Sequence, residues 1–218
     1  MEKQKVFRDC SLYWLEKTFD LEETKHLPSL DKWLSQTIEI SQLERDYFLI
    51  LQEDLDFNYR SWNEEELAQY FIGPILSLVR FSSKKFNLFA ERPIEGIVQD
   101  WRLFGKPDGI LASGRRVPEI PFFSFQEYKK MTDPDGDPAG QALAAMLVGQ
   151  SLNGGGETMY GCHIIGGDWY FMTLDGNKFS ISRSYSALSD ELFAIFKALK
   201  VLKNIIIERI STKNDLST

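Results

Sequence analysis

The chain has 218 residues, 43% of them hydrophobic and 26% charged, and a net charge of −7 at pH 7. This length suits one domain with a small appendage, and the sixteen Phe, eight Tyr and five Trp argue against disorder. No run of about 18 apolar residues occurs and the N-terminal region is charged, so we expect neither a membrane span nor a signal peptide. Cys10 and Cys162 lack metal-type spacing. A reducing, cytoplasmic location is therefore expected.

Charge is distributed unevenly along the chain, which limits what the net charge excludes. A net negative charge argues against strong, nonspecific binding to nucleic acid. Residues 78–131, however, carry ten Lys and Arg against six Asp and Glu, while the segments on either side are acidic. An acidic protein with a local basic region can still contact a phosphate backbone.

The first part of the chain is predicted to be helical. Residues 7–60 show the apolar spacing of two or three helices, one of them over residues 41–55. We find no catalytic grouping in this region. We therefore interpret residues 1–60 as a helical N-terminal appendage and residues 61–218 as the core, which ends in a C-terminal helix.

A stronger helix is predicted to begin at Asn63. Asn63 suits the N-cap position because Glu66 follows three residues later, as in a capping box. Pro74 lies inside this helix and predicts a kink. One apolar stripe runs along the helix, formed by Leu67, Phe71, Ile75 and Leu78.

The rest of the chain alternates strands and helices. Residues 86–130 are strand-like with turn residues between the strands. Asp137 and Pro138 then suit the N-cap and first position of a helix. Two further strands are joined by a hairpin turn at residues 166–168, and a last helix is predicted over residues 187–210. The order predicts an α/β protein.

Charged residues end one of the predicted strands, FFSFQEYK. After Phe123 and Phe125 the same face is expected to receive Glu127 and Lys129, because side chains two apart on a strand share a face. Asp108 lies nineteen positions before Glu127, at the start of the preceding strand. Two neighbouring carboxylates can bind a hard cation such as Mg²⁺. A nearby lysine can orient a water, help to deprotonate it, or stabilise charge on a phosphate.

The residues Pro107-Asp108 and Glu127-x-Lys129 resemble the motif of the PD-(D/E)xK nuclease superfamily. The resemblance covers about residues 62–182. It implies a restriction-endonuclease-like fold, in which helices flank a mixed β-sheet core, and hydrolysis of nucleic-acid phosphodiesters, with DNA as the expected partner. It also implies that Asp108 and Glu127 hold Mg²⁺, with Mn²⁺ as an alternative. The order of elements is similar to the N-terminal nuclease domains of type I restriction subunits.

The resemblance implies two supporting residues. Glu64 would supply a further acid from the helix before the sheet, because it lies seven residues before Phe71 on the inward stripe. Gln141 stands early in the helix after the lysine strand, where many relatives carry a glutamine; four residues later Ala145 replaces the usual aromatic. Two other roles stay open. Glu64 can simply favour the helix N-terminus, worth about 0.3–1 kcal/mol, and Gln141 can cap free N–H groups.

Other functions also stay open at this stage. A catalytically silent module that binds nucleic acid or protein is suggested by the overall acidity and by Ala145. An enzyme acting on another phosphate substrate is the third alternative. His26 and His163 have no partner at metal-type spacing and are interpreted as structural. We expect no membrane partner, and the oligomeric state stays open, with a homodimer as one option.

Overall fold

The computed structural model describes residues 3–132 and 136–215, except for the side chains of residues 213–215. These residues form a mixed α/β structure in which two β-sheets are flanked by helices. The predicted α/β class is thereby confirmed. None of the helices within the described ranges is both long and apolar enough to cross a bilayer.

The elements follow one another along the whole chain. The helices are α1 (Leu12–Phe19), α2 (Pro28–Ser35), α3 (Gln42–Asn58), α4 (Glu64–Leu67), α5 (Gly73–Val79), α6 (Pro138–Leu152) and α7 (Leu192–Asp215). The strands are β1 (Lys3–Val6), β2 (Glu22–Glu23), β3 (Phe86–Ala90), β4 (Ile94–Val98), β5 (Trp101–Gly105), β6 (Gly109–Ser113), β7 (Glu119–Lys129), β8 (Met159–Ile165), β9 (Asp168–Asp175), β10 (Lys178–Ile181) and β11 (Tyr185–Ser186).

The larger sheet has the order β2-β10-β9-β8-β7-β6-β3, and β11 pairs with β9. β7 and β8 run parallel, as do β2 and β10, whereas the other neighbours are antiparallel. A smaller sheet has the order β1-β5-β4. β6 and β7 are therefore neighbours, as the prediction for Asp108, Glu127 and Lys129 requires.

A hydrophobic cluster lies on each face of the larger sheet. Successive residues of β6 alternate between them: Ile110 and Ala112 belong to one cluster and Leu111 to the other. The Leu111 cluster includes apolar residues of α2, α3, α4, α5 and α7. The Ile110 cluster includes residues of α1, α6 and the smaller sheet. Helices thus cover both faces, and each face has its own core.

The first sixty residues differ from the expected helical appendage, because they also contain strands. β1 pairs in parallel with β5, and β2 pairs in parallel with β10. Trp33 of α2 is buried and its indole N–H donates to the carbonyl oxygen of Ala198 at 2.8 Å. The helix predicted over residues 41–55 is confirmed as α3, which begins after a capping box between Ser41 and Glu44. This segment is thus packed into both hydrophobic clusters.

α4 and α5 form one continuous helix with a π-turn, Ala68–Ile72, between them. The predicted capping box of Asn63 and Glu66 is confirmed at its start. The N–H of Gly73 donates to the carbonyl oxygen of Ala68, five residues earlier. The next residue, Pro74, has no N–H to donate, so the wider turn accommodates the proline within the helix.

α6 lies between the two sheets and is buried on all sides. Asp137 is its N-cap, accepting a hydrogen bond from the N–H of Gly140 at 2.9 Å, and Pro138 is its first residue, as predicted. Each residue from Pro138 to Gly149 is buried. A Cβ on Gly149 would lie 2.3 Å from the ring of Phe125, so glycine permits the close approach of helix and sheet.

The C-terminal elements agree with the prediction apart from the two ends of the last helix. The β8–β9 hairpin turns at residues 166–167, as expected. α7 begins at Leu192 instead of residue 187, because the N–H of Ser189 donates to the carbonyl oxygen of Ser186 in a turn before the helix. The helix then continues beyond its predicted end at residue 210.

Candidate functional site

A β-bulge in β7 determines which side chains reach the site. Leu111 pairs with Ser124 and Ala112 pairs with Phe122, so Phe123 is the extra residue between them. Phe123 belongs to the Leu111 cluster, whereas Phe125 belongs to the cluster that includes α6. The prediction that Phe123 and Phe125 share a face is therefore wrong. Beyond the bulge, normal alternation carries the Phe125 face on to residues 127 and 129.

Glu127 and Lys129 form a buried ion pair at the end of β7. Lys129 Nζ donates to Glu127 Oε1 at 2.8 Å, and each side chain is only 10% exposed. The two residues share a face because they lie two positions apart on a strand. The predicted pairing of these two side chains on one face is thus present in the structure.

Asp108 directly precedes β6 and is held by two backbone groups. The N–H of Tyr128 donates to Asp108 Oδ2 at 2.5 Å. The N–H of Glu91 donates to the carbonyl oxygen of Asp108 at 3.2 Å. Because Gly109 pairs with Gln126, the same antiparallel register continued by one step sets Asp108 opposite Glu127. The fold therefore brings the two candidate metal ligands to adjacent strand ends.

The pKa values reflect an excess of carboxylates. Burial raises the pKa of Glu127, and the charge of Asp108 raises it further, which together outweigh the hydrogen bond from Lys129. Burial likewise raises the pKa of Asp108, with smaller contributions from Glu64 and Glu91. Burial lowers the pKa of Lys129, but the hydrogen bond and charge of Glu127 outweigh it, so the net shift is upward. Lys129 is therefore a charged ammonium at neutral pH.

Glu64 is close to this pair, as the resemblance implies. Glu64 Oε2 lies 3.9 Å from Lys129 Nζ, and the Glu64 side chain is 43% exposed. The helix N-terminus is already capped by Asn63 and Glu66. The structure thus gives Glu64 a neighbour in the site in addition to its position in the first helical turn.

Glu64 also joins two adjacent concavities. We call the first the polar cleft; it has a volume of about 310 Å³ and is lined by Glu64, Glu127, Lys129, Gln141, Val6, Phe7, Arg8, Gly105 and Lys106. We call the second the acidic pocket; it has a volume of about 560 Å³, and its polar lining consists of Glu64, Glu65, Glu91, Asp108 and Tyr128. Four of the five predicted site residues line the polar cleft, and the fifth, Asp108, lines the pocket beside it.

Gln141 is a buried residue whose side-chain Nε2 has no hydrogen-bond partner in the described part of the chain. It is 6% exposed, and its Nε2 finds no acceptor within residues 3–132 and 136–215. The alternative role of capping α6 is filled by Asp137, whose Oδ1 accepts from Gly140 N. A buried N–H group without an acceptor costs about 1–3 kcal/mol. The Nε2 of Gln141, which has no acceptor among the described residues, is therefore suited to an acceptor on a ligand in the polar cleft.

Sequence reasoning missed several residues around the site. Glu91 lies beside Asp108 with a left-handed backbone, φ 49°, which is uncommon for a residue other than glycine. Its position at the end of a predicted strand is the feature of the sequence that could have identified Glu91 as a site residue. Arg8 and Lys106 contribute positive charge to the polar cleft. Arg8 reaches the cleft because β1 pairs with β5, and no local pattern indicates that pairing.

His163 lies next to the site in register but has a structural environment. It pairs with Glu127 across β7 and β8, and its ring stacks on Tyr170 with centroids 4.6 Å apart. Burial lowers the pKa of His163 to about 4, against a smaller opposite effect of Asp137. The ring is therefore neutral at physiological pH.

The donor set is compatible with a hard divalent cation. Asp108 and Glu127 each have one carboxylate oxygen that accepts a hydrogen bond, whereas the other has no donor within the described part of the chain. Free carboxylate oxygens are ligands that Mg²⁺ and Mn²⁺ take. The same described residues contain no group of three or more His, Cys, Asp or Glu side chains arranged to hold a metal. Any bound cation would therefore need further ligands from water or substrate.

Comparison of the sequence with protein-family models and with curated proteins finds no match to either. A function is therefore inferred from the site residues and their geometry.

Proposed function

We propose that the protein is a Mg²⁺-dependent nuclease with a restriction-endonuclease-like core. It hydrolyses phosphodiester bonds of nucleic acid, and DNA is the first candidate substrate. One observation carries the proposal. The buried Glu127–Lys129 pair ends β7 directly beside Asp108, the residue before neighbouring β6. Two carboxylates can hold a metal ion, and an ammonium beside them can stabilise the charge that develops in phosphodiester hydrolysis.

In this proposal Asp108 and Glu127 hold Mg²⁺, with Mn²⁺ as an alternative. When bound, the cation supplies Lewis-acid stabilisation of charge on the phosphoryl group. The repulsion between Asp108 and Glu127, which contributes to the raised pKa of Glu127, favours binding of the cation. Each residue offers as a ligand the carboxylate oxygen that has no donor among the described residues.

Lys129 acts as a hydrogen-bond donor and a positive charge. Because the pKa of Lys129 is raised, its ammonium group does not accept a proton at neutral pH. Lys129 is therefore better suited to orient a water or to stabilise charge on the phosphate than to deprotonate the water. Glu64, 3.9 Å away, helps to hold the ammonium in place. The Nε2 of Gln141, which has no acceptor in the described ranges, donates to a phosphate oxygen. Water adds to phosphorus as the bond to the leaving oxygen breaks; the attacking water gives up its proton to bulk water, and the leaving oxygen takes a proton from bulk water.

The direct test is cleavage of plasmid and oligonucleotide substrates with and without Mg²⁺. Lys129→Ala should lower the cleavage rate at least about 100-fold, the range expected for a positioned catalytic side chain, with little change in affinity for nucleic acid. Lys130→Ala is the matched control, because Lys130 is the adjacent residue and has no ion pair within the described residues. Undiminished cleavage by Lys129→Ala would contradict the proposed role of Lys129.

A second candidate is a catalytically silent module of the same fold that binds nucleic acid or protein. It is favoured by the lack of a three-ligand metal group among the residues that the structure describes. In this case the wild type would show no Mg²⁺-dependent cleavage. Its binding to nucleic acid, if any, would be the same with Mg²⁺ and with a chelator.

A further inference from the structure

A cluster of positive side chains surrounds a second concavity, away from the site just described. We call it the basic cleft; it has a volume of about 460 Å³, and its charged lining residues are Arg80, Lys84, Lys85 and Lys203. No carboxylate among the described side chains lines it, and Ser82, Ser83 and Ser211 add hydroxyl groups. Arg80, Lys84 and Lys85 are exposed in the turn between α5 and β3. The cleft thus combines four cations with neutral donors.

These four cations have no ion-pair partner in the part of the chain that the structure describes. Lys203 Nζ donates to the carbonyl oxygen of Val79 at 2.9 Å, which holds it at the cleft. Burial lowers the pKa of Lys203, and the positive charges of Arg80 and Lys200 lower it further. The local potential is therefore positive, although the whole chain is acidic.

The basic cleft and the candidate catalytic site lie at opposite ends of one strand. Phe86, the first residue of β3, lines the basic cleft, and Ala90, the last, lines the acidic pocket with Asp108. Five residues of strand span about 13 Å between the first and last Cα. Along the axis of duplex DNA this distance corresponds to roughly four base pairs, at about 3.4 Å each. Among the described strands β3 pairs with β6 alone, so it is an edge of the sheet.

We propose that the basic cleft binds the phosphodiester backbone of a nucleic acid a few nucleotides away from the phosphate in the catalytic site. The proposal extends the proposed function and rests on it, because the proposed nuclease activity is the reason for choosing nucleic acid as the polyanion. It separates two tasks within an acidic protein. The carboxylate-rich site holds the reacting phosphate through a cation, whereas the basic cleft supplies direct electrostatic attraction to the chain.

The test is the salt dependence of binding, measured by fluorescence anisotropy in EDTA so that no cleavage occurs. The probes are a short DNA duplex, the matching single strand and an RNA of the same sequence. Lys84→Ala/Lys85→Ala should reduce the magnitude of the slope of log K against log salt by about 1–2, because each phosphate contact contributes about 0.7–0.9. Affinity at low salt should fall about tenfold. The probe with the largest change identifies the nucleic acid that the cleft binds.

The matched control is Lys25→Ala/Lys32→Ala, which removes two exposed lysines that have no ion pair within the described residues. It should leave the slope unchanged. Equal slopes for both double variants, or no binding of any probe by the wild type, would overturn the proposal. Binding of an acidic peptide or anionic vesicles in preference to all three probes would overturn it as well. Thermal melting of each variant checks that it is folded.

The two proposals can fail separately. If the slope falls as expected but no Mg²⁺-dependent cleavage is seen, the basic cleft stands and the nuclease proposal fails. If cleavage depends on Lys129 but the slope of log K against log salt is unchanged in Lys84→Ala/Lys85→Ala, the nuclease proposal stands and the proposal for the basic cleft fails.

Discussion

Lys129 Nζ lies 2.8 Å from Glu127 Oε1, and both side chains are nine-tenths buried at the end of one strand. Burying two charges costs free energy that their mutual attraction only partly returns. Asp108 adds a second carboxylate beside Glu127, and its charge raises the pKa of Glu127. Without a cation the site therefore contains more negative charge than Lys129 can balance, and this excess should reduce the stability of the folded protein.

The first prediction concerns stability against pH in the presence of EDTA. The pKa of Asp108 rises from 3.8 to about 6 and that of Glu127 from 4.5 to about 7 on folding. The folded state therefore binds more protons than the unfolded state between pH 3.8 and about 7. Stability contributed by these groups is present below this window and is lost as pH rises through it. Urea denaturation at several pH values measures the free energy of unfolding.

Asp108→Asn provides the variant for this experiment. It removes the charge and keeps an oxygen that can accept from Tyr128 N. At pH 8 in EDTA it should be more stable than the wild type by about 1–2 kcal/mol, and its stability should fall less steeply with pH. A variant as pH-dependent as the wild type would show that Asp108 is not a source of the effect. Asp56→Asn, an exposed position on α3, is the control.

The second prediction concerns the cation. Mg²⁺ should raise the melting temperature of the wild type, because the ion binds the native arrangement of Asp108 and Glu127 and not the unfolded chain. Asp108→Asn should abolish this shift, whereas Asp56→Asn should retain it. Differential scanning fluorimetry over a Mg²⁺ titration measures the effect. An equal shift in Asp108→Asn would place the cation elsewhere.

The third prediction concerns Gln141. Replacing it with methionine, which has a similar length and shape, removes a buried N–H group that has no acceptor within the described residues. The free energy of unfolding should rise by about 1 kcal/mol, while cleavage should fall. Chemical denaturation and the cleavage assay give the two readouts. A loss of stability would instead indicate that the amide has a structural partner, as the capping role would require.

The fourth prediction concerns the first sixty residues. Trp33 is 1% exposed, and its ring contacts Tyr160 and Phe171 edge-on, each with centroids 5.1 Å apart. Trp33→Ala should destabilise the whole protein by about 3–5 kcal/mol in a single transition. Leu43→Ala, at a residue that is 77% exposed, should change stability little. Separate unfolding of an N-terminal unit would support the interpretation of residues 1–60 as an appendage.

Local chemistry allowed much of this protein to be predicted from its sequence. The caps at Asn63 and Asp137 and the β8–β9 hairpin depend on residues three or fewer positions apart, so their geometry is local. The pairing of Glu127 with Lys129 also follows from the two-residue period of a strand. These features were predictable because short-range hydrogen bonds and backbone geometry determine them.

Other features depended on contacts between distant parts of the chain. Only the pairing of β6 with β7 creates the bulge at Phe123, which moves that ring to the opposite face. Only the pairing of β1 with β5 brings Arg8 to the polar cleft. Burial then raises the pKa of Asp108 and leaves Gln141 without a partner in the described residues. The sequence by itself therefore determined which groups end the strands, whereas tertiary packing decided their neighbours and their charge, because desolvation and register arise only when distant segments meet.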